Sequence, residues 1–351
     1  MASALDLANV HYEYGKVLQA QAAGKLLALW RGVDRRHILA SWTEALPEAV
    51  RIVTATQLAA AEDGTGYMAA ALAAQSLDTK GPQVVPAAFA GVAYPLTPDA
   101  PAFDLPGTLA APAFTALRGI RGGLTLDRAM GGGLNDLLLR TQMQVADAAR
   151  NSGAVVMASR NRPAGWVRML NPPSCSRCAL LAGKWFKYNQ GFARHPGCDC
   201  RHIPSAESTA EDVTTDPYEY FGSLPAAEQD RVFTKAGAKA IRDGADISQV
   251  VNARQGMYTT AGGSQVTREG VTRRGYWGSQ QVTRDRKGAE RYGVSVRQRM
   301  MPEEIYKRAN TPERAKALLE EYGYITPAGQ VPDGAIVGGA RGFSGRYRLN
   351  G

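Results

Sequence analysis

Cys175-Ser-Arg-Cys178-Ala-Leu-Leu-Ala-Gly183-Lys-Trp-Phe186, followed by Phe192-Ala-Arg194-His195-Pro-Gly-Cys198-Asp-Cys200, is the stretch from which the architecture is read. All four cysteines of the 351-residue chain fall in these 26 residues. A CxxC pair, then a CxC pair with a histidine three residues before it, is a thiolate/imidazole ligand pattern. Zinc takes four tetrahedral ligands of these types, and a set drawn wholly from protein closes the site, so the expected ion is structural. Asn171-Pro172-Pro173-Ser174 reads as a turn that opens a short helix, while Cys198 and Cys200, at i and i+2, share one face of a strand. The expected ligands are Cys175, Cys178, Cys198 and Cys200, with His195 as an alternative fourth and His202 as a weaker candidate. Metal binding would let a module this short hold together around little core. The competing reading is four small buried residues in a turn-rich module.

Outward from this stretch, strand-like runs (Ala154-Val-Val-Met157, Trp166 to Leu170, Lys184 to Tyr188) complete a compact module. Before it, Leu126, Met130, Leu134, Leu137, Leu138, Thr141, Val145 and Ala149 recur at helical spacing, and Asn151-Ser-Gly153 predicts the stop. Gly131-Gly132-Gly133 costs roughly 1 kcal/mol per residue relative to Ala, which predicts a break or a close helix contact. Residues 81–123, with Pro82, Pro86, Pro95, Pro98, Pro101, Pro106 and Pro112, predict an extended connector holding at most one short helix. The first 80 residues predict three helices. Leu7, Val10, Tyr14, Val17, Leu18, Ala22, Leu26 and Leu29 mark the first. Ser41-Trp-Thr-Glu44 opens the second as a capping box, Asp63-Gly64-Thr65-Gly66 breaks it, and Tyr67 to Leu77 forms the third.

After the module, Leu224 to Arg254 predicts a helical hairpin that turns at Asp243-Gly244-Ala-Asp246. The chain then becomes basic. From Arg254 onward 17 Lys/Arg face 9 Asp/Glu, a surplus of eight, whereas the preceding 253 residues carry a surplus of one. A loose repeat (Gln265-Val-Thr-Arg268, Val271-Thr-Arg-Arg274, Gln281-Val-Thr-Arg284) and sparse apolar residues predict a tail that is disordered when free. Its one expected folded island is Met301 to Tyr322, where Thr311-Pro312-Glu313 supplies an N-cap, a proline at the first helical position and an acid in the first turn. The fold class is therefore α+β, in five parts. These are a helical region (1–80), the connector (81–123), a helix plus Cys/His-clipped module (124–206), a helical hairpin (207–256) and a largely disordered basic tail (257–351) with its island near 302–322.

A basic tail on a balanced body points to a polyanion, most often nucleic acid. Arg268, Arg273, Arg274, Arg284, Arg286, Lys287, Arg291, Arg297 and Arg299 are the expected phosphate contacts, with Tyr276, Trp277 and Tyr292 placed to stack on bases. No run approaches the ~18 apolar residues of a membrane span, and the N-terminus has no basic-then-apolar signal pattern, so a reducing compartment, thiolate ligands and no membrane partner are expected. Gly-x-Ser-x-Gly, His-Glu-x-x-His and the phosphate-loop pattern are absent. Four clustered cysteines fit a thiol-protease dyad poorly, because a nucleophile needs one reactive thiolate in an open cleft. His11 and His37 read as surface or packing residues.

The string Cys175-x-x-Cys178-x-x-Leu181-x-Gly183-Lys-Trp-Phe186 with Phe192-x-Arg194-His195-Pro196-x-Cys198-Asp-Cys200 resembles the signature of the phage Mu F-like family, the minor capsid or head morphogenesis proteins of tailed phages. The similarity extends through Glu228 to Gly237, Ala240 to Ile247, Val250 to Arg254 and Met301 to Tyr306, in the manner of the versions from phages of actinobacteria. It implies a protein present in few copies at the portal vertex or capsid interior, assembled in the host cytoplasm. Its partners would be the portal protein, scaffold or major capsid protein, and genomic DNA. It implies a role in head assembly and DNA packaging or delivery. Relatives are often labelled capsid maturation proteases, which makes a protease of scaffold or shell protein the alternative to a non-enzymatic head component.

Overall fold

The structure, a computed structural model, describes residues 2–94, 104–172, 174–188, 200–212, 214–272, 275–284 and 298–326. The chain divides into two compact units that alternate along the sequence: residues 1–171 with 184–214, and residues 172–183 with 215–351. This division differs from the five successive parts that the sequence predicts.

The first unit is built on four helices: α1 (Ala4–Arg31), α2 (Ile38–Ala74), α3 (Leu105–Arg121) and α4 (Leu126–Ala158). Ser3 caps α1, and Asp6 returns a bond to the Ser3 backbone N–H, so orphan donors of the first turn are satisfied. The aperiodic signals in the sequence are overridden here. α2 starts at Ile38 rather than Ser41 and runs unbroken through Asp63-Gly64-Thr65-Gly66. The reason is packing: a Cβ at Gly64 would lie 2.3 Å from the Ala149 carbonyl oxygen and 2.6 Å from Ser152 Oγ, so glycine lets α2 and α4 touch backbone to backbone. Ser152 Oγ donates across the crossing to Ala61 O at 3.0 Å. Asn151-Ser-Gly153 is likewise part of this crossing, and α4 continues past it to include Ala154 to Met157, expected as a strand.

Gly131-Gly132-Gly133 does not break α4. Gly133 is the close contact, since a Cβ there would meet the Trp30 ring at 2.6 Å and the Pro112 carbonyl oxygen at 2.8 Å. The prolines predict at most one short helix in the connector; it contains the 17-residue α3, which starts on the Asp104 N-cap with Pro106 in the first turn and buries Leu105, Leu109, Ala113 and Ala116. α3 is core rather than spacer. Trp42 is fully buried and donates from Nε1 to Leu109 O at 2.8 Å, while Trp30 donates to Met130 O at 3.2 Å, and the two rings meet edge to face at 5.0 Å.

A three-stranded antiparallel sheet, order β2-β1-β3, completes the unit: β1 (Gly165–Met169), β2 (Trp185–Phe186) and β3 (Arg201–Ser205). Trp166 pairs with Phe186 on one side and Pro204 on the other. A second core of Tyr67, Met68, Leu72, Val156, Met157, Trp166, Met169 and Ile203 joins sheet to helices. The strands at Trp166 and Trp185 fall where the hydrophobic runs predicted them.

The second unit starts with α5 (Ser176–Ala182) and continues through α6 (Pro217–Ser223), α7 (Ala226–Phe233), α8 (Lys235–Arg242) and α9 (Ile247–Ala253). The expected hairpin is thus cut into shorter helices. Asp216, Thr234 and Asp246 each cap one, and Gly244 takes the left-handed turn before α9 at φ +100°. Next comes a sheet of order β4-β5-β6, with β4 (Met257–Thr259), β5 (Gln265–Thr267) and β6 (Arg299–Met300), together with α10 (Tyr276–Arg284), α11 (Pro302–Arg308) and α12 (Pro312–Glu321). The predicted island is present as α11 and α12, with the Thr311 cap in place, and the tail's folded part extends beyond it to this sheet.

Candidate functional site

Cys175 is the N-cap residue of α5, in extended conformation, and its Sγ accepts from the Cys178 backbone N–H at 3.4 Å. Cys175 is half-exposed and Cys178 is buried. Ser174, just before them, is held by Tyr220 of α6, whose hydroxyl accepts from Ser174 N at 3.1 Å and donates to Ser174 O at 3.0 Å. Burial raises the Tyr220 pKa, which keeps that hydroxyl a donor. At the other end of α5, Thr215 N donates to Ala182 O at 3.2 Å. The short helix that the sequence predicted after Asn171-Pro-Pro-Ser is therefore real, and it sets both thiols of the first pair at its opening turn. Two thiolates there would meet the positive end of the helix and would supply half of a tetrahedral zinc set.

In the first unit, buried Cys200 immediately precedes β3, and its carbonyl oxygen lies 3.4 Å from Arg150 Nη2, the arginine being paired with Asp147 at 2.8 Å. His202, on β3, has its ring 4.2 Å from that of Trp166, and its carbonyl accepts from the Tyr67 hydroxyl at 2.6 Å. Cys198 and His195 lie outside the described residues. Among the described residues no three His, Cys, Asp or Glu side chains form a metal-holding group.

The expected phosphate contacts divide in three. Arg268 is exposed, with its guanidinium over the Tyr258 ring at 4.9 Å. Arg299 is a correction: it is 1 % exposed and holds the second unit together from inside. Its Nε donates to Tyr322 O (2.9 Å), Nη1 to Glu269 O (3.2 Å), and Nη2 to Gln249 Oε1 (3.0 Å) and Gly323 O (3.2 Å). The guanidinium also lies over Tyr324 at 4.3 Å, and burial lowers its pKa. Trp277 is a second correction, for it is buried, donates to Glu321 O at 3.0 Å and is not open to bases. Arg273, Arg274, Arg286, Lys287, Arg291, Arg297 and Tyr292 lie outside the described residues, as does the Arg284 side chain.

One group escaped the sequence reading. His11 is buried, bonds through Nδ1 to Asp63 Oδ2, and stacks on Tyr67 at 4.3 Å with the rings 3° from parallel. Its partners sit on another helix more than fifty positions away, a distance that periodicity does not span. With Tyr67 bonded to β3, the group ties α1 and α2 to the sheet.

Compared with known families, residues 1–223 match the VG15 protein family, which is well over half of the chain. The chain belongs to the VG15 protein family. VG15 is a phage gene-product family, so this is a phage protein. The VG15 match takes in the whole first unit together with α5 and α6 of the second, and so includes every candidate metal ligand. No curated protein and no solved structure matches the chain. No described helix is long and apolar enough to cross a membrane.

Proposed function

We propose that this VG15 chain is a minor head protein of a tailed phage, of the Mu F-like type, acting at the portal vertex or procapsid interior in head assembly and DNA packaging or delivery. The observation that carries the reading is the Cys175/Cys178 pair at the opening turn of α5, inside a CxxC…HxxCxC signature and within the phage-family match. In this reading Cys175, Cys178, Cys198 and Cys200, with His195 as the alternative fourth ligand, hold one structural zinc ion. A closed tetrahedral set leaves no open position for substrate, so the ion acts on folding. Arg268, Arg273, Arg274, Arg284, Arg286, Lys287, Arg291 and Arg297 neutralise phosphates of packaged DNA without reading sequence. Arg299 is left out of that set because it is buried.

Purified heads and metal analysis test the proposal together. The chain is expected in heads at far fewer copies than the shell protein, and loss of its gene is expected to leave shells unfilled. Purified protein should hold one zinc per chain, lost in Cys178→Ser. Absence of the chain from procapsids and virions would refute the head role. Scaffold cleavage that disappears in Cys→Ser variants still folded and still metal-loaded would replace it with the maturation protease.

A further inference from the structure

One end of the first unit brings the α1–α2 loop against the α3–α4 loop. Arg35 Nη1 donates to Asp127 Oδ1 at 2.7 Å, and the Leu124 side chain packs over Gly119. The two loops with their flanking turns, residues 31–40 and 117–129, hold six arginines, two aspartates and no lysine. Arg31, Arg35, Arg36, Arg118, Arg121 and Arg128 are all exposed. Both acids are already engaged: Asp34 by His37 at 2.9 Å and by the Arg36 backbone N–H at 2.8 Å, and Asp127 by Arg35. The first 253 residues together carry a surplus of only one positive charge, so this local surplus of four is not the average of the body.

Helix dipoles explain half of it. Arg31, Arg118 and Arg121 stand in the last turns of α1 and α3, where a cation is favoured. Arg35 and Arg36 precede the first turn of α2, and Arg128 is in the first turn of α4, where a cation is disfavoured. α2 has no acid in its first turn and no side-chain cap. Arg35 is balanced by its pair with Asp127, but Arg36 and Arg128 are held against the local field, at a surface that also exposes Leu39 (39 %), Ile120 (38 %), Leu124 (47 %) and Leu126 (39 %).

We propose that this end of the helical bundle docks an acidic, amphipathic segment of a protein partner, its carboxylates taken by the arginine forks and its apolar face by Leu39, Ile120, Leu124 and Leu126. Charge fixes the sign of the partner, and the aliphatic side chains fix its class. Guanidinium groups receive carboxylates as pairs of parallel hydrogen bonds. Arginine beside apolar residues, with lysine missing, is the composition of a protein interface, whereas a sugar–phosphate backbone gains nothing from exposed leucines. The inference stands on the bundle alone and needs neither the zinc ion nor the head role.

The test uses the full chain and three labelled probes: a helical peptide with Glu on one face and Leu on the other, a scrambled peptide of the same composition, and a short DNA duplex. The patterned peptide is expected to bind in preference to the scrambled one. Arg36→Glu/Arg121→Glu/Arg128→Glu and, separately, Leu124→Ser/Leu126→Ser should each weaken it about ten-fold or more. Circular dichroism and melting of each variant establish that it is folded, and Arg→Gln at the same three positions replaces the reversal if it is not. Equal binding of both peptides, or binding untouched by either set, overturns the proposal. So does a surface that binds duplex instead, loses it on charge reversal and keeps it with the serines.

Discussion

Gly64→Ala should destabilise the first unit although alanine is the better helix former. In the interior of a 37-residue helix the exchange is worth roughly 1 kcal/mol in favour of alanine. Against it stands the crossing with α4. The new methyl would lie 2.3 Å from Ala149 O, 2.6 Å from Ser152 Oγ and 2.9 Å from the Ala149 carbonyl carbon. Ordinary contact requires the helices to part by about 1 Å, a gap that forfeits a quarter to a half of each dispersion contact along the crossing. Overpacking of this kind costs roughly 1–3 kcal/mol, and disturbing the Ser152 bonds to Ala61 and Ala149 adds about 1 kcal/mol or more. The net expectation is a loss of roughly 1–3 kcal/mol. Gly66, two residues on in the same helix, has nothing within 4 Å of its would-be Cβ, so Gly66→Ala should gain up to about 1 kcal/mol. Urea unfolding followed by tryptophan fluorescence reads the pair, since Trp30, Trp42, Trp166 and Trp185 all lie in this unit. If Gly64→Ala is neutral or stabilising and Gly66→Ala is destabilising, α2 is broken at Asp63-Gly-Thr-Gly66 and the continuous helix is wrong.

Arg299→Met removes the donors to Tyr322, Glu269 and Gly323 carbonyls and should cost roughly 3 kcal/mol or more, seen as early proteolysis of the second unit while the tryptophan transition of the first stays in place. Chelation of the native protein should strip one zinc and lower the unfolding midpoint, and Cys175→Ser should leave that midpoint insensitive to chelator. The Asp6 carboxyl is held below its ordinary range chiefly by the Ser3 backbone N–H. Its contribution to the start of α1 is therefore complete above the ordinary Asp pKa and lost as pH falls through the lower folded value, which amide exchange at the first turn of α1 should follow. Replacing Arg268, Arg273, Arg274, Arg284, Arg286, Lys287, Arg291 and Arg297 by Gln should weaken duplex binding and flatten its salt dependence, and equal slopes would refute the tail contact.

What the sequence made legible was local. The Thr311-Pro312-Glu313 helix start, the turn at Asp243-Gly244, the strands at Trp166 and Trp185 and the helix opened by Cys175 all stem from neighbouring residues, and all are present. The misses share a cause. Asp63-Gly-Thr-Gly66, Gly131-Gly-Gly133 and Asn151-Ser-Gly153 read as breakers because glycine is poor in an isolated helix, yet tertiary packing decides otherwise where Gly64, Gly133 and Gly153 admit a neighbouring backbone or ring. Prolines 106 and 112 suggested an extended chain, while α3 uses the first in its opening turn and buries the second. Along the chain Arg299 is one of a run of basic residues, and charge counted that way does not reveal which cation lies inside. The pairing of His11 with Asp63 and the meeting of two arginine-bearing loops depend on distances between helices, which no spacing rule supplies.

The alternation of the two units along the chain bears on how such a protein can be cut and inherited. The polypeptide leaves the first unit after Asn171, lends α5 to the second, comes back at Lys184 for β2 and β3, and departs again after Thr214. No single scissile point yields two whole pieces: a fragment ending at 171 lacks two strands of its sheet, and one beginning at 215 lacks a helix. Genetic exchange inside this region would give chimaeras in which each unit combines segments from two parents. A truncated recombinant intended to capture either unit must therefore carry a piece of the other.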